Sequence, residues 1–168
     1  MTSMIDAKRL YDEDVVAWSE QQAEALRAAA RGGSNLQLDW ENLAEEIEDL
    51  AKSYRLSLRS HTRRIVQHLF KLQHSPAIDP RNGWRRTVEL ARMEVSDLLD
   101  ESPSLKRDIP AVVKKVVSSG IELAVRDLER HDEVSPTQTR ILRRRSYTAE
   151  QIFGDWFPPE PPWEPRRR

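Results

Sequence analysis

The chain contains no cysteine. That excludes a disulfide framework, a thiolate nucleophile and any cysteine-ligated metal centre, and it fits a reducing compartment. Only five of the 168 residues are glycine, and they build none of the loops that cradle phosphates or dinucleotides. No serine-hydrolase motif is present either. No apolar run approaches the roughly 20 residues needed to span a bilayer, and the N-terminus lacks a basic-then-apolar export segment. A cytoplasmic protein is therefore expected, with no membrane partner.

What is present is charge. At 33% charged against 38% apolar, the composition suits exposed, elongated helices better than a thick globule. A single helical domain over residues 1–157 is expected, followed by a Pro/Arg-rich extended tail over 158–168. The formal net charge of −1 hides a strong asymmetry. Residues 1–53 hold 12 acids against 5 bases, a net of −7, whereas residues 54–88 hold Asp79 against eight bases, a net of +7. Any polyanion partner has to be argued from a local patch.

Between Gly33 and Pro76 there is neither glycine nor proline. Over this stretch Trp40, Leu43, Ile47, Leu50, Tyr54, Leu58, Ile65, Leu69 and Leu72 trace one helical stripe. Asp39 is a suitable N-cap, and Leu38 is placed to staple onto Leu43, so the spacing predicts one long helix over about 39–75. Before it, Tyr11, Val15, Trp18, Gln22 and Leu26 predict a helix over 12–31, stopped by Gly32-Gly33. After it, Trp84, Val88, Ala91, Val95 and Leu98 predict a third helix ending near Glu101. Ser102-Pro103 reads as an N-cap with proline at the first helical position, and Pro110 marks a second break before a fourth helix reaching about Arg130. That segment is rich in β-branched residues, yet its spacing and length favour helix over strand. Residues 131–146 read as a polar connection that includes Arg143, Arg144 and Arg145. Thr148 and Gln151 form a capping box, and Ile152, Phe153, Trp156 and Phe157 are too apolar to be left in water, so a short C-terminal helix is expected to dock. The expected fold is all-α, an antiparallel four-helix bundle with one long helix and that docked segment.

The string Asp39-Trp40-Glu41-Asn42-Leu43-Ala44-Glu45-Glu46-Ile47-Glu48-Asp49-Leu50, with Tyr11, Asp14 and Trp18 before it, resembles the bacterial "domain of unknown function 29" family. Further matching residues are Arg63, His68-Leu69, Lys71, Trp84-Arg85, Ser102-Pro103-Ser104-Leu105 and Tyr147-Thr148. The resemblance covers most of 11–157 and implies a small bacterial all-helical protein. It implies no activity and no catalytic residue. The Pro/Arg tail lies outside it, and the Arg143–Arg144–Arg145 run departs from it.

Three site candidates remain. His61, His68 and His74, with Glu45 and Glu48, suggest a metal, but a bundle di-metal centre expects Glu-x-x-His pairs on separate helices, and the chain has none. Neither metal nor cofactor is expected, and no catalytic residue is assigned. The acidic cluster Glu41, Glu45, Glu46, Glu48 and Asp49 is accounted for by the positive N-terminal end of the long helix. The strongest candidate is basic: Arg63, Arg64, His68, Lys71, Arg85 and Arg86, a set suited to contacting phosphates or a protein partner. Against a phosphate role stands internal pairing, for which Asp12, Glu13 and Asp14 are the nearest expected acids. Proline spacing over 158–165 would suit an aromatic groove, but a solvated extended tail accounts for it equally. The expected function is a non-catalytic protein–protein interaction module, self-association included. The alternative is nucleic-acid or polyanion binding through 54–88, and a metal-dependent enzyme is the least supported class.

Overall fold

The computed structural model describes residues 4–33 and 36–160. It is all-α, as expected: seven helices and one 3₁₀ segment, 79% helical, with no strand among the described residues. The helices are α1 (Met4–Glu13), α2 (Val15–Arg31), α3 (Trp40–His74), α4 (Arg81–Glu101), α5 (Ile109–Arg130), α6 (Pro136–Leu142) and α7 (Ala149–Phe153), with the 3₁₀ segment at Pro103–Asp108. No helix among the described residues is long and apolar enough to cross a membrane. The chain groups into two compact units, one of residues 1–58 and 96–108, the other of 59–95 and 109–168, and it passes between them within α3 and within α4.

In the first unit the expected helix over 12–31 is α2, which begins at Val15, and a further helix, α1, precedes it. Asp14 separates them: its backbone is extended at φ −162°, and its carboxylate accepts from Ala17 N at 2.8 Å as the N-cap of α2. The same carboxylate accepts from Ser104 N at 2.7 Å and Ser104 Oγ at 2.9 Å, while Ser102 Oγ accepts from Val16 N at 3.3 Å. Ser102 therefore caps α2 from outside while it also opens the 3₁₀ segment, its carbonyl accepting from Leu105 N at 3.0 Å with Pro103 at the first position. Asp14 and Ser102 are both buried, so these bonds are shielded from water and their loss would orphan backbone donors.

The apolar stripe of α3 is turned relative to expectation in this unit. Ala44, Ala51 and Leu58 are the buried line of α3, as Val16, Ser19 and Ala23 are of α2, while Leu43 and Leu50 are each 40% exposed. Small side chains at the seam favour close backbone approach and push the leucines onto a shoulder. Asp39 caps α3 as expected, accepting from Asn42 N at 3.4 Å and from the Asn42 side chain. Leu38 is exposed like Leu43 and does not bury a staple. Arg55 joins Asp108 at 2.8 Å and also Glu20, which in turn holds Arg107 at 2.8 Å.

In the second unit the stripe holds. Ile65, Leu69 and Leu72 are buried together with Val66 and Phe70, as are Val88, Ala91 and Val95 of α4 and Val112, Val116, Val117 and Val125 of α5. Gly120 marks where α5 runs against α3, since a Cβ there would lie 2.8 Å from Val66 Cγ1 and 3.1 Å from Arg63 O. α3 ends at His74, two residues before Pro76, and buried Arg81 satisfies its last carbonyls by donating to Leu72 O at 2.7 Å. The polar connection expected over 131–146 contains α6, opened by a Ser135–Gln138 capping box with Pro136 in its first turn. The C-terminal helix docks. Ile152 is fully buried, Tyr147 OH donates to Gln73 Oε1 at 2.7 Å, and Thr148 and Gln151 form the expected box. Arg92 fastens the segment, donating to Gln151 O and Ile152 O at 2.9 Å and to Trp156 O at 2.7 Å, with its guanidinium 4.8 Å from the Phe157 ring. Residues 158–160 carry no regular structure, and the rest of the expected tail, 161–168, lies outside the described residues.

Two outcomes test these joints by urea denaturation. Asp14→Ala removes an N-cap and strands the Ser104 amide, and should cost about 2–3 kcal/mol; parental stability would show that the cap is replaceable by water. Arg92→Ala should cost about 2 kcal/mol, and Arg92→Lys should restore only part of it because an ammonium cannot fork to three carbonyls. Full rescue by lysine would mean that only the charge matters.

Candidate functional site

The basic stretch falls on α3 and α4 of the second unit, and the structure gives most of its side chains a partner. Arg63 Nε donates to Ser119 Oγ at 3.0 Å. Arg64 lies 3.5 Å from Glu94, which also stands 2.7 Å from His61 Nδ1. Lys71 Nζ sits 3.2 Å from Asp127, a carboxylate shared with Gln67 at 3.1 Å, and the same ammonium lies 4.7 Å from the centre of the Trp84 ring. Arg85 pairs with Glu160 at 3.1 Å and stacks 4.4 Å from the Phe157 ring. Arg81 shares Glu160, at 3.0 Å. Arg86 alone of the six candidates is exposed with no hydrogen bond or ion pair among the described residues.

These pairings are internal, but the acids are not the expected Asp12, Glu13 and Asp14. Glu94, Asp127 and Glu160 supply them. Asp14 is occupied by Ala17 and Ser104, and Glu13 lies 3.8 Å from Arg9.

The histidines do not converge. Among the described residues no group of three or more His, Asp or Glu side chains is placed to hold a metal ion. His68 is half-buried with no hydrogen-bond partner for Nδ1, and burial, assisted by the charges of Lys71 and Arg64, lowers its pKa to about 4. His74 is likewise lowered to about 4 by burial and then by Arg145. Both imidazoles are therefore neutral near pH 7 and contribute no positive charge to the basic stretch.

A family model, "Domain of unknown function DUF29", matches residues 10–157. The chain belongs to that family. A crystal structure described as an α-helical protein of unknown function from Rhodospirillum rubrum superposes with a TM-score of 0.67 at 25% identity, over 86% of this chain and 89% of that one. None of the curated proteins compared matches the chain. The residues that carry the family resemblance have scaffold tasks here: Asp14 and Ser104 join the α1–α2 break to the 3₁₀ segment, Asp39 and Asn42 cap α3, and Thr148 caps α7. Sequence reasoning missed Arg92, Ser135 and Arg140 as organised features. For Ser135 the Ser-Pro-x-Gln signal was local and readable.

The histidine environments dictate a pH dependence. A histidine whose folded pKa lies below its ordinary 6.5 resists a proton that the unfolded chain accepts, so stability is full above about pH 6.5 and falls as pH drops toward 4. Folding free energy measured between pH 7.5 and 5 should decline, and a His68→Gln/His74→Gln variant should be flat over that window. An equal decline in the variant would assign the slope to carboxylates.

Proposed function

We propose that this protein is a non-catalytic helical interaction module that pairs with a second copy of itself. The observation that carries the reading is the exposed apolar shoulder of α3, where Leu43 and Leu50 are each 40% exposed. Leu43, Glu46 and Leu50 recur at three and four residues and so share one side of the helix. Glu46 is exposed and has no ion pair among the described residues.

The occupant follows from charge and apolar complementarity. On α4 of the second unit, Arg86, Leu90 and Met93 share a face by the same spacing, with Leu90 48% and Met93 62% exposed. One surface offers leucines around an unpaired carboxylate, the other Leu and Met beside an unpaired guanidinium. A basic-edged apolar surface on one copy suits the acidic-edged shoulder on the other, whereas two acidic shoulders would repel. Protein binding in a bacterial cytoplasm belongs to this same proposal, supported by the lack of cysteine and by a structural neighbour from a bacterium.

The nucleic-acid alternative through 54–88 draws less support. Arg64, Lys71 and Arg85 already lie beside carboxylates, which an incoming phosphate would have to displace.

Sedimentation velocity across a concentration series tests the pairing. A reversible dimer is expected, with Glu46→Arg or Arg86→Glu each weakening it by about tenfold and the two together in one chain restoring it. A monomer at the highest attainable concentration, or a dimer indifferent to both reversals, would sink the proposal.

A further inference from the structure

The run of arginines that departs from the family resemblance forms an organised surface. α6 and the turn after it bring Arg140, Arg144 and Arg145, with Ile141, around a depression of about 420 Å³. The turn is held by backbone bonds from Arg144 N to Ile141 O at 3.2 Å and from Arg145 N to Leu142 O at 3.0 Å. All three arginines are exposed, and none of their guanidinium groups makes a hydrogen bond or ion pair among the described residues. Arg143, in the midst of them, behaves differently: it lies 2.9 Å from Glu122 and 3.6 Å from Glu129.

Three guanidinium groups lining one hollow repel one another, and no carboxylate is among the described residues that line it. The ordinary reason for cations at a helix C-terminus is weak here. α6 has only seven residues, so its dipole is small, and Arg145 lies three positions beyond its end. An anion in the hollow would relieve the repulsion, and arginine forks match phosphate oxygens bidentately.

We propose that the hollow of Arg140, Arg144 and Arg145 binds a small molecule carrying a diphosphate or longer phosphate chain, whose apolar part lies on Ile141. The size fits, since small-molecule sites run from about 300 to 1,000 Å³. Ile141 is 58% exposed and gives an apolar wall beside the charges. Three cations match a diphosphate better than a single phosphate. A nucleic-acid strand fits less well because the basic surface is short and bounded. Arg143 is already committed to Glu122 and Glu129, and the adjoining hollow of about 150 Å³, which shares Ile141, contains Glu133 beside the neutral His74. A compact anion satisfies the three arginines without crossing those carboxylates.

The probe is inorganic pyrophosphate, titrated into the full chain by calorimetry and by amide NMR at about 50 mM salt, where the electrostatic contribution is favoured. Saturable binding of a single equivalent is expected, with shifts confined to α6, residues 143–145 and His74, and weaker binding of orthophosphate. Arg140→Glu and Arg144→Glu should each weaken binding by about tenfold or more, whereas Arg144→Lys should weaken it less. Lys115→Glu, a reversal at an exposed cation of α5 with no side-chain hydrogen bond or ion pair among the described residues, should leave it unchanged. Absence of saturation overturns the proposal, as does an equal loss in Lys115→Glu, which would mean diffuse attraction. Binding of an oligonucleotide that requires Arg144 and is not displaced by pyrophosphate would also overturn it, in favour of nucleic acid. None of these outcomes depends on self-association.

Discussion

Both compact units are built on α3, and α3 is a single helix because nothing between Trp40 and His74 interrupts it: no glycine, no proline, and a cap from Asp39 at its start. One continuous helix must then present different surfaces along its length. In the first unit its core line is Ala44, Ala51 and Leu58, a narrow row. In the second it buries Ile65, Val66, Leu69, Phe70 and Leu72, a wide face. The exposed leucines at 43 and 50 follow from that difference. A narrow alanine seam buries one row only, and the apolar residues beside it stay at the surface.

This also sets what could be read from the sequence. The period of α3, its cap, the Thr148–Gln151 box and the docking of α7 are local or nearly local signals, and each was legible. Which side of the first half of α3 faces the core was not, because leucines outrank alanines on any hydrophobicity scale while close helix approach selects for size. The break at Asp14 was obscured for a related reason. Asp12, Glu13 and Asp14 read together as first-turn acids of one helix, yet Asp14 differs from the others by bonding to Ser104, ninety positions away. The α6 box was legible and overlooked, since the arginines around it made the segment look uniformly polar.

The charge pattern shows the same limit more sharply. Summing charges over 54–88 yields +7 and suggests an open basic surface. The acids that answer it, Glu94, Asp127 and Glu160, come from the last segment, which on its own is nearly neutral. Segment sums treat neighbours in sequence as neighbours in space, while pairing is decided by tertiary distance over a few ångströms. The candidate residues fall on one unit, and their partners were invisible in the sequence.

Sorting the arginines by what their guanidinium groups meet separates framework from surface. Arg81 and Arg92 donate to backbone carbonyls at the end of α3 and around α7, where a planar fork satisfies several orphan acceptors at once. Arg55, Arg64, Arg85 and Arg143 meet carboxylates. A guanidinium used in either way has little to offer a ligand, because binding would first have to break what it already holds. Arg86, beside Leu90 and Met93, and the trio of Arg140, Arg144 and Arg145, around Ile141, have no such prior engagement. Each lies next to an exposed apolar side chain, and that pairing of unengaged cation with apolar surface is what the two proposed binding surfaces have in common.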